Sequence, residues 1–121
     1  MNNNPKTVSV EDIQRFIEND LKTGNLYKVV SRKYKDWDWI YEPYLLELKK
    51  NEWFKITLDS LKNNIVVLFC LDKEPIHRHS TPETAPFTGE LIRWDLWYKM
   101  FIKVLYQNKI CLVHAGWLEK I

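Results

Sequence analysis

The feature that most constrains this chain is the run Ile65-Val66-Val67-Leu68-Phe69-Cys70-Leu71, closed by Asp72-Lys73-Glu74-Pro75. Seven apolar residues are far short of the ~20 that a helix needs to cross a bilayer. Their β-branched and aromatic content favours a strand, and apolar residues at both odd and even positions predict one covered on both faces. Such a strand needs neighbours to satisfy its backbone and other elements to cover it. The 121 residues suffice for one domain with a real core.

Neighbours can be read off in chain order. Ser9 is a good N-cap, with Glu11 and Asp12 in the first turn, and Ile13, Phe16, Ile17 and Leu21 recur at helical spacing. These predict a helix over 10–22, stopped by Gly24. Tyr27, Val29 and Val30 favour a strand, and Trp37, Trp39 and Tyr41 alternate with Asp36, Asp38 and Ile40, which predicts a hairpin turning near 33–36. Residues 44–50 lean to a helix after Pro43; the alternative is a strand with Lys49-Lys50-Asn51-Glu52 as its turn. Phe54, Ile56 and Leu58 alternate as in a strand. Leu91, Trp94, Tyr98, Phe101 and Leu105 form a helical face. The expected fold class is therefore α+β. A single small domain over 9–121 follows a disordered start at 1–8. Its sheet is mostly antiparallel, with strands near 26–32, 37–41, 53–58, 65–71 and 110–114, and helices 10–22 and 90–107 pack on it. The prolines at 75, 82 and 86 and Gly89 predict a long loop over 72–89.

Charge excludes some functions. Eleven Lys/Arg against ten Asp/Glu up to residue 64, and seven against six after it, leave each half at +1. A mimic of DNA would be strongly acidic, and a duplex binder needs many more phosphate contacts. Two cysteines inside apolar runs suggest reduced thiols, and the polar start lacks a signal-peptide core, so a cytoplasmic location is expected, with no membrane contact. Only three glycines are present, and no glycine-rich phosphate loop is among the motifs.

Several residues could carry chemistry. His77-x-His79-x3-Glu83, followed by Gly89, resembles the first metal-binding motif of the cupin family. That resemblance implies a divalent metal such as zinc or iron held by His77, His79, Glu83 and a later histidine, for which His114 is the candidate. The chain departs from the family's pattern at Leu71, where a glycine is expected. It departs again at Lys109 and Cys111, where the second motif has Pro and Gly, and in the helix expected over 94–107, where the family has strands. Cys111-x2-His114 also has a zinc-ligand spacing that His77 and His79 could complete. His79-Ser80-Thr81 resembles half of the paired motif of the two-histidine phosphoesterases, which need it twice. Cys70 or Cys111 could act as a nucleophile and His79 with Glu83 as an acid–base pair, but cysteines among Val, Leu and Phe are usually inert.

Binding signals are denser than catalytic ones. Lys22, Lys28, Arg32, Lys33 and Lys35 lie between Asp20 and Asp36 with no acid among them, interleaved with Tyr27 and Tyr34 and followed by Trp37 and Trp39. Such a pattern suits single-stranded nucleic acid. Trp37, Trp39, Tyr41, Tyr44 and Trp53 crowd into seventeen residues, and Trp, Tyr and Arg dominate protein-interface hot spots. The reading this supports is a small non-catalytic binding protein without a cofactor. Its partner would be another protein, for instance a nucleic-acid-processing enzyme or its RNA. The role would be an inhibitor or accessory factor, of the immunity type or a phage-encoded inhibitor of a nuclease or CRISPR effector. Lys28, Arg32, Lys33, Tyr34, Lys35, Trp37, Trp39, Tyr41, Arg78 and His79 are the expected contacts.

Overall fold

The computed structural model describes residues 6–34, 40–50, 52–58, 66–76 and 99–121. Ser9 starts its helix as the sequence implies. The Ser9 hydroxyl accepts the Asp12 N–H at 3.1 Å, and the Asp12 carboxylate accepts the Ser9 N–H at 2.9 Å. This reciprocal capping box satisfies two of the orphan donors at the helix start. Helix α1 (Val10–Asn19) buries Ile13 and half-buries Phe16 and Ile17. It ends before residue 22, yet Leu21 still turns into the core.

Seven strands form the main sheet: β2 (Leu26–Val29), β5 (Tyr44–Lys49), β6 (Glu52–Thr57), β7 (Val67–Ile76), β8 (Phe101–Tyr106), β9 (Lys109–His114) and β10 (Leu118–Lys120). Their order is β10-β2-β7-β8-β9-β5-β6, with antiparallel pairing throughout. A small sheet joins β1 (Lys6–Val8), β3 (Arg32–Tyr34) and β4 (Ile40–Tyr41); β1 runs parallel to β3, and β4 antiparallel. Within the apolar run, Val67–Leu71 lies in β7 and is flanked by β2 and β8, but it is not covered on both faces as expected: Leu68 and Cys70 are buried, whereas Val67 and Phe69 are exposed.

Five further expectations change. The described part of the helix expected over 90–107 is a turn at 99–100 followed by strand β8, which reaches β9 through Gln107 and Asn108, both with positive φ (49° and 63°). Two such residues between directly paired Tyr106 and Lys109 make a hairpin turn whose twist matches the strands. The helical periodicity of Phe101 and Leu105 loses to the strand preference of Phe-Ile-Lys-Val-Leu-Tyr and to pairing on both sides. Residues 44–49 are also a strand, turning at Lys50 (φ 49°) to pair with β6. The loop expected from residue 72 begins later, because β7 runs on to Ile76. The pairing slips between Cys70 and Asp72 and again before Ile76, beside Pro75, which has no N–H to give. Finally, Lys6–Val8 is a strand rather than part of a disordered start. The single strand expected at 26–32 is divided, since Val30 and Ser31 carry the chain from the large sheet to the small one. Of the strand expected at 37–41, only Ile40–Tyr41 is described.

The two sheets and α1 meet at the 3-10 turn Ala115–Trp117, which is wholly buried. The His114 Nδ1 accepts the Gly116 N–H at 3.0 Å and lies 3.2 Å from the Tyr34 hydroxyl. The imidazole sits among the rings of Tyr34, Phe101 and Trp117, with centroids 5.8, 5.3 and 5.5 Å away. A Cβ on Gly116 would meet the Tyr34 hydroxyl at 2.8 Å, His114 Nδ1 at 2.9 Å and Ile13 Cδ1 at 3.0 Å. Gly116→Ala is expected to destabilise the fold by about 1–3 kcal/mol through overpacking. A denaturant midpoint equal to that of the native chain would show that the junction is looser than described.

Candidate interaction surface

Side chains alternate along a strand, and directly opposed residues on paired strands point to the same side. The registers therefore sort the main sheet into two faces. One carries Tyr27, Val29, Leu68, Cys70, Ile102, Val104, Cys111 and Val113, all buried. Helix α1 covers part of this face: Phe16 packs edge-on against Tyr27 at 5.9 Å, and the Tyr27 hydroxyl donates to the Asp20 carbonyl at 2.7 Å.

The other face holds a row that the sequence does not advertise. Leu26 is opposite Phe69, Phe69 is opposite Leu105, and Leu105 is opposite Ile110. Continuing the β10–β2 register by one residue sets Ile121 beside Leu26. Four apolar side chains thus form one line across β2, β7, β8 and β9, and Ile121, just past the end of β10, extends it to roughly 19 Å at the usual strand spacing. Leu26 is 53% exposed, Phe69 36%, Ile110 55% and Ile121 70%; Leu105 is half-buried. Val67, two residues from Phe69 and on the same side, is exposed as well. Single exposed apolar residues are ordinary, but a contiguous line of them marks a contact surface.

Charges flank the row at one end. Glu119 and Lys28 are directly paired across β10 and β2, with Lys28 Nζ 3.1 Å from the carboxylate. Arg32 Nη2 reaches the same carboxylate at 3.3 Å, while its Nε donates to the Gly116 carbonyl at 3.2 Å. Partial burial raises the Glu119 pKa, but Lys28 and then Arg32 outweigh it and hold the carboxyl below its ordinary value. Beside α1 lies a cavity of about 320 Å³ lined by Lys6, Asp12, Arg15, Phe16, Arg32 and Gly116 among others; the Arg15 and Asp12 charges pair with each other at 2.7 Å.

Of the ten expected contact residues, four have described side chains, and Glu119 brings two of these, Lys28 and Arg32, together. Arg32 is buried and tied to Gly116 and Glu119; Tyr34 is buried against His114. Lys28 is neutralised by Glu119, and Lys33 is half-exposed in the small sheet. Lys35, Trp37, Trp39, Arg78 and His79, like His77 and Glu83, lie outside the described residues, as does the side chain of Tyr41. Among the described residues no cluster of His, Cys, Asp and Glu could hold a metal. Cys111 faces Val104, whereas His114, three residues on, belongs to the opposite face and spends its Nδ1 on Gly116. Both cysteines are free and buried. Burial first, then Asp72 beside Cys70 and Glu47 beside Cys111, pushes both thiols above their ordinary pKa, so neither is an activated nucleophile. No described helix is long and apolar enough to cross a membrane. Comparison with protein-family models, with curated proteins and with solved structures finds no match.

The Glu119 cluster predicts a pH response. Its folded pKa lies below the unfolded value near 4.5, so its contribution is complete above that value and is lost as pH falls through the folded pKa. The carboxylate is partly exposed, so the effect is modest, up to about 1 kcal/mol. Urea midpoints measured from neutral pH downward are expected to fall less steeply for Glu119→Gln than for the native chain. Parallel curves would remove Glu119 from the acid response.

Proposed function

We propose that this chain is a small non-catalytic binding protein that acts by protein–protein contact, and that the row Ile121–Leu26–Phe69–Leu105–Ile110 is its contact face. The observation that carries this reading is the continuity of the row. Four side chains from four strands line up with no charge between them, Ile121 extends the line past the end of β10, and all but the half-buried Leu105 stand in solvent. Burying such side chains yields roughly 25 cal/mol per Å² of apolar area removed from water, a driving force that needs no catalytic group. Rigid strands hold the row, so little ordering cost is added on binding. An inhibitor or accessory role for a nucleic-acid-processing partner fits a compact scaffold of this kind. The basic run is a weaker candidate for contact, because Lys28 and Arg32 are already engaged by Glu119.

The test is capture of partner proteins on immobilised native chain and on a Leu26→Asp/Ile110→Asp variant. Both positions are more than half exposed, so the variant is expected to keep its fold by circular dichroism. Proteins held by the native chain should be lost from the variant by tenfold or more, about 1.4 kcal/mol. Equal capture by both would reject the row as the contact face. Binding of labelled single-stranded RNA that falls steeply with salt would instead move the reading to nucleic acid.

A further inference from the structure

The kind of protein that covers the row can be inferred from its size, its polarity and its place in the layering. Resting on the reading of the row as a protein contact, we infer that its partner is a second copy of this chain. The two copies meet face to face through Ile121, Leu26, Phe69, Leu105 and Ile110, with the two sheets stacked.

Area is the first argument. The five residues and Val67 expose on the order of 400–500 Å² of apolar surface, within the ~300–600 Å² of the largest, often functional, patch on a monomeric protein. Apolar atoms make up ~60% of an interface, so this stripe with a polar rim comes to the ~800 Å² per partner that a standard-size complex buries. Shape is the second. The stripe lies on regular paired strands, and two such faces stack ~10 Å apart with side chains interdigitating, as in any sandwich. Layering is the third. Helix α1 lies on the Tyr27 side of the sheet. On the row's side the protein already covers Phe101, Leu112 and His114, but leaves the part from Leu26 to Ile110 open. A second sheet covers that remaining part.

Electrostatics permits the pairing. A two-fold interface brings each residue near its own surroundings on the other copy, so an unpaired charge in the stripe would meet its like. The charge next to Leu26, on Lys28, is neutralised within the same copy by Glu119 at 3.1 Å. Lys103 lies two residues from Leu105 on the same side and is half-buried; it belongs to the rim, where a long side chain can keep its ammonium in water.

Sedimentation velocity of the native chain over a roughly hundredfold concentration range is the decisive measurement. The expected result is a reversible shift from monomer to twice the monomer mass. Leu26→Asp and, separately, Ile121→Asp should each weaken the dimer by tenfold or more while leaving the circular dichroism spectrum unchanged. Ile121 is 70% exposed at the end of the chain, so its substitution keeps the test valid if Leu26→Asp fails to fold. A native chain that stays monomeric throughout overturns the inference, and so does a dimer that both substitutions leave intact. The two readings fail separately. A monomeric native chain whose captured partners are still lost on Leu26→Asp/Ile110→Asp leaves the proposed contact face standing with a different occupant. A concentration-dependent dimer broken by those substitutions, with capture of other proteins unchanged, supports self-association and confines the row to it.

Discussion

The pairing of β7 with β2 on one side and β8 on the other is the constraint on which the rest depends. It sets Leu68 and Cys70 into the core and turns Val67 and Phe69 out. Because side chains alternate with a period of two, a slip of one residue would exchange those pairs. The core then loses Leu68 and Cys70, both fully buried. The register is held at one end by backbone bonds outside the ladder. Gly24 N–H donates to the Cys70 carbonyl at 2.8 Å, and Cys70 N–H donates to the Asn25 carbonyl at 2.9 Å. Gly24 adopts φ 93° there, a conformation that glycine takes without the cost a side chain would bring.

What could be read from the sequence was local chemistry. Ser9 with Asp12, the alternation of Phe54 and Ile56, and the β-branched run before Leu71 each specify one element by contacts within a few residues. Where local signals competed, long-range pairing decided. Phe101 and Leu105 fit a helical face, and Leu45, Leu46 and Leu48 are good helix formers, yet both stretches lie between partners that satisfy their backbone groups on either side. The Gln107-Asn108 turn was the available signal, since Asn tolerates positive φ. The apolar row was beyond the sequence for a different reason. Apolar residues at every position of 65–71 predict cover on both faces, whereas Val67 and Phe69 stand in solvent. Only the registers of three strand pairs reveal that Phe69 is aligned with Leu26, Leu105 and Ile110.

The basic segment shows why a linear charge pattern is a poor guide to a surface. Arg32 and Lys28 are close in sequence but lie on β3 and β2, in separate sheets, and are joined again by Glu119. Arg32 is 8% exposed. Its guanidinium bonds the Gly116 carbonyl and so supports the turn that holds His114, Tyr34 and Ile13 together. A charge in that position is worth keeping only because the carbonyl and the carboxylate satisfy it; removing either partner would leave a desolvated cation. The same residue that suggested phosphate contact therefore acts inside the protein, tying the small sheet to the C-terminal strand.

Edges and faces of the main sheet are treated differently. The edge strand β6 exposes Glu52 and Lys55, and the other edge, β10, is three residues long and carries Glu119 and Lys120. Charged residues and short length are the usual means of keeping an edge from recruiting another chain. No such device interrupts the row: between Ile121 and Ile110 every opposed position is apolar. Protection of the edges without protection of the face makes sheet-to-sheet contact the route of association open to this fold. Stacking also sets the order of events. The monomer must first complete its registers, since before β2, β7, β8 and β9 pair the row does not exist, and association is then the docking of two finished surfaces.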